Sequence, residues 1–397
     1  MEVTSNTLLL RGAHVVLSDR VAENTDVLIE SGRVSRIGNL MSEVSSGQAQ
    51  DLAGLTLFPG LIDIHIHGAV GIDTMDATPE TLRQVSRFLC TQGVTCWLPT
   101  LVPAPPAYYA RAVLAIREAF AQQSQASANR EGARIIGLHY EGPFVNEALC
   151  GALHADHFKT YAKQNDLDDL PIINDARAVH MMTVAPEIDG GVDLIRELKR
   201  RSWTVSIGHT RADMQQLNGA FEAGAAHMTH FMNAMPCLHH RSPGPVGWGL
   251  MRDDVTLDVI ADGVHVDPAV LSLLIKIKSP ARMCLISDSI AAAGMGDGEY
   301  RIWDETIQVQ NGRTSNAKGS IAGSVITMND AVRRMRDLGV SDVDIALMGA
   351  TNPARLLGIA HERGSIAPGQ FADLVALDED GRVVLTVIAG RVVFDRR

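Results

Sequence analysis

Apolar positions along the chain follow two different rhythms. Residues 7–58 carry short apolar runs, "TLLLRGAHVVLS", "DVLIESGRVSRIG" and "GLTLFP", with Gly, Ser and charged residues between them. That texture predicts short strands. It returns near the C-terminus in "GSIAPGQFADLVALDEDGRVVLTVIAGRVVFD". Two strand-rich ends around a different middle predict one small β-sandwich domain built from both termini, since the ends of a domain commonly lie together. Its expected extent is 1–58 and 356–397.

The middle, 59–355, alternates. "LIDIHIH" is followed by a helix-like stretch at 79–92, "TCWLPT" by one at 106–124, and "RIIGLHYEG" by a long loop and a helix near 154–165. "VHMMTVAP" precedes 190–200, "TVSIGHT" precedes 211–223, and "AHMTHFMNA" leads into a Gly/Pro-rich loop. "TLDVIAD" precedes 267–278, and "MCLISDS" precedes a long loop and a helix at 325–338. Strands in regular βα alternation predict an α/β fold, a (β/α)8 TIM-type barrel. A doubly wound open sheet is the alternative.

The strand interiors are apolar, yet nearly every strand ends in a residue that can bind a metal or move a proton. His65 and His67 close the first, sharing one face of an extended chain. Glu141 closes the third, His209 the fifth and His230 the sixth. Asp262, with His265 just beyond, closes the seventh, and Asp288 the eighth. In a barrel these ends converge on one mouth. Unpaired charges buried there would cost several kcal/mol each. A divalent cation removes that cost. Imidazole and carboxylate without thiolate suit Zn, Fe, Mn or Co. Glu141, His209 and His230 form one candidate ligand set, and His65 and His67 with Glu141 bridging form a second, so one or two ions are expected. Asp288 fits a general base toward water and a general acid toward a leaving group; a further metal ligand or a helix cap is the plainer role.

Bulk properties narrow the function classes. At 397 residues, 46% hydrophobic and 20% charged, the chain suits one large barrel plus a smaller unit. A net charge of −11 argues against nucleic acid or an anionic membrane as partner. No apolar run approaches the ~18 residues of a membrane span, and no signal-peptide pattern opens the chain. Five scattered cysteines without a CxxC pair predict reduced thiols and a cytoplasmic location.

The motifs "PGLIDIHIHG", "LHYEGPF", "SIGHT", "THFMNAMP", "DGVHV", "ISDS", "AGSVITM", "TNPARLLG" and "GSIAPGQFADLV" span nearly the whole chain. They resemble the amidohydrolase superfamily and, within it, the N-acetylglucosamine-6-phosphate deacetylase family. The resemblance implies metal-dependent hydrolysis of the acetamide of a 2-amino sugar phosphate, a small-molecule substrate, with release of acetate. It implies Glu141, His209 and His230 as principal metal ligands and His65 and His67 as a pair that some members keep. It implies Asp288 as the catalytic acid–base and His265 as the histidine that helps polarise the carbonyl. Asn233 and Ala234 match sugar-phosphate positions, and Ala152 and His154 lie in the loop near the sugar. Arg241 matches an arginine that reaches a neighbouring subunit's phosphate, so a homodimer is expected. Met232 stands where an aromatic residue is usual, and His239 and His240 flank Arg241, either as part of an anion site or as exposed loop. Related N-acyl amines as substrates, a deaminase on the same scaffold, and a non-catalytic scaffold are the alternatives. Smaller signals stay two-sided: "AGS" at 322–324 as an anion nest or a helix cap by Ser324, "GMGDG" at 294–298 as a lid or a turn, "GPVGWG" around Trp248 as a mouth lining or a connector, and His139 as support for a metal ligand or barrel core.

Overall fold

The computed structural model describes residues 7–40, 49–123, 132–303 and 305–397. Residues 41–48, inside the predicted strand segment, and residue 124, the last of the predicted helix 106–124, lie outside the described residues.

Eight parallel strands build the middle of the chain. They are β1 (Leu61–Ile66), β2 (Val94–Leu101), β3 (Gly137–Glu141), β4 (Val179–Val184), β5 (Thr204–Ile207), β6 (His227–Met228), β7 (Thr256–Ile260) and β8 (Met283–Ile286). Each pairs with the next in sequence, β1 with β2 through to β7 with β8. The ring then comes back on itself just past the strand ends. The Asp288 N–H donates to the carbonyl of His65 (2.9 Å), and the His67 N–H donates to that of Ser289 (2.8 Å). This is the expected barrel, and all eight strands lie where the apolar runs placed them.

Helices wrap the outside because their apolar faces have a sheet to cover. They are α1 (Pro79–Thr91), α2 (Pro106–Gln122), α3 (Gly191–Arg200), α4 (Met214–Glu222), α5 (Gly244–Met251), α6 (Pro268–Lys278) and α7 (Met328–Asp337). α1, α4 and α7 begin with capping boxes at Thr78, Asp213 and Thr327, which satisfy N–H groups that a helix start leaves free. Thr327 is therefore the cap of α7. Ser324 instead donates to the carbonyl of Ser287 and, through its N–H, to that of Asp288.

Three local expectations differ from the structure. The Gly/Pro-rich segment after β6 contains α5. Pro245 is tolerated in the first helical turn, and Gly249 is needed because a Cβ there would come within 2.5 Å of Met228 Sδ. The predicted helix near 154–165 is only 3₁₀ turns at Ala155–His157 and Gln164–Leu167. Between them the N–H groups of Lys159 and Tyr161 donate to Pro143 and Asp189, so tertiary carbonyls take donors a helix would need. The long loop after β8 contains a three-stranded antiparallel insert, Gly298–Ile302, Glu305–Gln310 and Arg313–Ser315, with its own core of Ile302, Ile307 and Val309 against Ile290.

Both termini share one further sheet. Its order is Arg391–Asp395, Val383–Ile388, Leu374–Leu377, Thr56–Pro59, Thr7–Val16, Val21–Glu30, Arg33–Gly38, with Ala49–Asp51 added beside Thr7–Val16. The sheet folds over, so that Leu10, Val27 and Val34 from one end meet Leu374, Leu385 and Val387 from the other in a single core. Most neighbours are antiparallel, and the joint between the two chain ends is the antiparallel pair Thr56–Pro59 and Leu374–Leu377.

The barrel interior is apolar in one stratum, with Leu98, Met181, Ile260 and Ile286 over Ala354 and Leu357. A second stratum is polar and fully connected. His139 bonds Thr100 and Thr183, Thr183 bonds Thr229, and Thr229 bonds Ser206. Burial holds the His139 imidazole well below its ordinary pKa, so it sits there neutral, edge-to-face against His65 at 4.7 Å between ring centres.

Candidate active site

The groups at the strand ends converge. His209 Nε2 and His230 Nε2 lie 3.0 and 2.9 Å from Glu141 Oε1 and 3.1 Å from each other. His65 Nε2 and His67 Nε2 are 3.2 Å apart, and His67 lies 3.2 Å from Glu141 Oε2. Asp288 Oδ1 is 3.4 Å from His65 and 3.3 Å from His67. All six side chains are buried. Three of the residues, His209 (φ +47°), His230 (φ +28°) and Asp288 (φ +49°), adopt the left-handed backbone region just past their strands. Non-glycine residues there cost of the order of 1–3 kcal/mol each. The conformation ends the strand and turns each side chain into the mouth.

This packing requires positive charge. His209 Nδ1 lies 2.7 Å from the carbonyl of Leu149, so Nδ1 carries a proton, and Nε2 meets Glu141 either through a second proton or through a lone pair. Lone pairs and carboxylate oxygens about 3 Å apart repel unless a cation lies among them. The electrostatics of the cluster carry the same message. Burial by itself pushes His67 down, but Asp288 and Glu141 override it and raise it to about 10. Burial likewise opposes, and Glu141 overrides, at His230, which is raised to about 9. Burial alone would raise Glu141; the charge of His65 and the bonds to His209 and His230 hold it well below the usual carboxylate range. Two groups have donor atoms all within 4.8 Å of one another: Glu141, His209, His230 and His65, His67, Glu141. The imidazole–carboxylate donor set fits a divalent cation of the borderline class.

A cavity of about 270 Å³ opens onto this cluster. His265, Asn233, Ala234 and Ala152 line it. Asp262 positions His265: its Oδ2 accepts from His265 Nδ1 at 2.6 Å, and its Oδ1 accepts the N–H groups of Val264 and His265. Burial pushes the Asp262 carboxyl up, but these bonds offset it and leave the group below its usual range. His265 therefore offers Nε2 to the cavity. His154 does not line the cavity; its Nε2 contacts the carbonyl of Trp303 at 3.0 Å. Trp303, from the turn of the insert, does line it, and packs edge-to-face on His67 at 5.3 Å. Sequence reasoning missed Trp303, because nothing marks one aromatic residue in a loop as a cavity wall. Arg241 is exposed, with Nη1 2.8 Å from His240 Nε2, and lies outside the lining. His239 and His240 are exposed, their ring centres 4.5 Å apart. Trp248 is buried and bonded to Asn218, a packing role, and Gly323 of the "AGS" motif lines the cavity.

The amidohydrolase family model matches residues 56–393. The chain belongs to the amidohydrolase family. That family is metal-dependent, in agreement with the donor groups at the barrel mouth. Similar family members include an N-acetylglucosamine-6-phosphate deacetylase of Bacillus subtilis, 36% identical, with 98% of each chain covered. An N-acetylgalactosamine-6-phosphate deacetylase of Escherichia coli O157:H7 is 34% identical, covering 97% of this chain and 99% of the relative. Among solved structures, a variant N-acetyl-D-glucosamine-6-phosphate deacetylase of Mycobacterium smegmatis in complex with N-acetyl-D-glucosamine-6-phosphate superposes with TM-score 0.85 at 31% identity, over 98% of this chain and 99% of that one.

Proposed function

We propose that this amidohydrolase removes the N-acetyl group of N-acetyl-D-glucosamine 6-phosphate, giving D-glucosamine 6-phosphate and acetate. The observation that carries the reading is the meeting of Glu141, His209 and His230 with Asp288 and His265 around one cavity of a sugar's size, about 270 Å³. In this reading Glu141, His209 and His230 hold a divalent ion, and His65 and His67 with Glu141 hold a second where both sites fill. A cation held there lowers the pKa of water toward neutrality and polarises the acyl oxygen. Zn, Fe, Mn and Co all suit these ligands.

The chain's own residues do the rest. Asp288, buried beside His65 and His67, accepts the proton of the attacking water and returns it to the amide nitrogen as the C–N bond breaks. His265, fixed through Nδ1 by Asp262, directs Nε2 at the acyl oxygen, and the Asp262 carboxylate compensates the charge of an imidazolium. Asn233, Ala234 and Ala152 line the sugar's side. Among the described residues lining the cavity there is no Lys or Arg. That supports a phosphate partner from outside the chain's own cavity, and hence Arg241 of a second subunit in a homodimer. The free cysteines support a cytoplasmic location. The folded-over sheet and the barrel support domains at 1–58 with 356–397 and at 59–355.

The E. coli relative favours a second reading, the galactosamine epimer. Metal-reconstituted protein assayed for acetate release on both 6-phosphates, on N-acetylglucosamine, and for ammonia separates these. Acetate from the gluco 6-phosphate at the highest kcat/KM is the expected result. No acetate from any of the three sugars removes the deacetylase reading.

A further inference from the structure

The imidazoles of the cluster are not all held in the same way. His209 is oriented through its ring, with Nδ1 on the carbonyl of Leu149 at 2.7 Å, and its carbonyl accepts the Asn146 N–H at 3.0 Å. His230 has no such ring partner: its Nδ1 is buried and unbonded among the described residues. It also follows β6, which has two residues, and its φ of +28° is one that a non-glycine residue adopts only under constraint. The sheet ladder cannot supply that constraint, because pairing of β6 with β7 ends at Met228 opposite Leu257.

Asp258, on β7, supplies it. The carboxylate Oδ1 accepts the His230 N–H, and the Asp258 carbonyl accepts the next one, from Phe231, at 2.9 Å. One residue thus captures two consecutive N–H groups beyond the end of the ladder. The second carboxylate oxygen is occupied by His227 Nε2 at 3.1 Å, and His227 Nδ1 is in turn 2.8 Å from Thr256 Oγ1. Asp258 and His227 are both fully buried, so the carboxylate has no water to turn toward, and His227 fixes which oxygen faces residue 230.

We propose that Asp258, steered by His227, is the positioning residue for His230: it holds the ligand's backbone rather than its ring. Partners outside the ligand shell typically govern metal affinity by 10–100-fold. The inference rests on the reading that Glu141, His209 and His230 hold a divalent ion.

The test is the dissociation constant of Zn²⁺ from the full-length apoprotein, by competition with a chromophoric chelator, together with the visible spectrum of the Co²⁺-loaded protein. Asp258→Val keeps the volume and removes the acceptor; Zn²⁺ is expected to bind about 10–100-fold more weakly, with an altered Co²⁺ spectrum. Asp258→Thr, whose γ hydroxyl lies one bond short of the positions of both carboxylate oxygens, gives the same loss and serves where the valine variant does not fold. Asp258→Asn, whose amide oxygen still accepts the His230 N–H, is expected within about threefold of wild type. Thr386→Val, which removes a buried hydroxyl on the carbonyl of Cys90 remote from the cluster, lowers stability without moving the Zn²⁺ constant. Equal Zn²⁺ affinity in wild type, Asp258→Val and Asp258→Thr, or a loss in Asp258→Asn as large as in these two, overturns the assignment. A wild-type chain that binds no divalent ion overturns the metal reading itself.

Discussion

Replacing Asp288 by Asn removes one proton acceptor and leaves almost everything else in place. The backbone of residue 288 is fixed from both sides, donating to the His65 carbonyl at 2.9 Å and accepting from the Ser324 N–H at 2.8 Å. Neither bond involves the side chain, and Asn matches Asp in shape, so the barrel should close as before. What disappears is the carboxylate 3.3–3.4 Å from His67 and His65. An amide cannot take a proton from water or deliver one to a leaving nitrogen. General acid–base catalysis of this kind contributes about 10²–10⁴ in rate, or about 3–5 kcal/mol of transition-state stabilisation. The remaining carboxylate, Glu141, with its imidazoles keeps the ligand sets intact, so metal content should stay near that of wild type. The assay pairs acetate release with metal analysis of the same sample. A variant with wild-type metal content and kcat within about threefold of wild type would refute the proton-transfer role of Asp288 and, with it, the reasoning from strand-end convergence to chemistry.

Three further outcomes follow from particular contacts. Asp262→Asn keeps an oxygen for the N–H groups of Val264 and His265 but turns an amide NH2 toward His265 Nδ1, which disfavours the tautomer with the proton there and withdraws the negative charge beside the ring; kcat should fall roughly a hundredfold with little change in KM, measured by initial rates. Lys278, buried at the end of α6, donates to the carbonyls of Gly249, Arg252 and Val255. Lys278→Met strands those carbonyls and should cost about 3 kcal/mol, read from urea midpoints. His180 accepts the Ile173 N–H through Nε2 at 3.1 Å, and burial lowers its pKa from 6.5 to about 4. A depressed histidine stabilises the fold above the unfolded pKa and loses that contribution as pH falls through the folded one. Between pH 7 and 5 wild type should therefore lose about 2 kcal/mol more than His180→Phe, a difference urea titration at the two pH values resolves.

The barrel was legible because each strand is a short apolar run. The candidate ligands were legible because a polar residue closing such a run is costly to bury unless something binds it. The shared terminal sheet was legible from matching texture at both ends. What the sequence hid depends on contacts between segments distant along the chain. α5 looks like a connector until Gly249 is seen against Met228. The 154–165 segment has helix formers, but its donors are claimed by Pro143 and Asp189. Trp303 enters the cavity only because an antiparallel insert carries it there. Asp262 was visible as a strand end, but its hold on His265 needed the turn between them.

The meeting of the first and last strands has a consequence for how the protein comes into being. His65 and Asp288 are separated by most of the chain, yet their backbones are bonded at the seam where the cylinder closes. Synthesis runs from N- to C-terminus, so an emerging chain carries the two leading histidines long before their acidic neighbour exists. If Asp288 moves the proton as proposed, hydrolytic competence awaits the docking of the final strand, and a product terminated before it is expected to be inert rather than partly active.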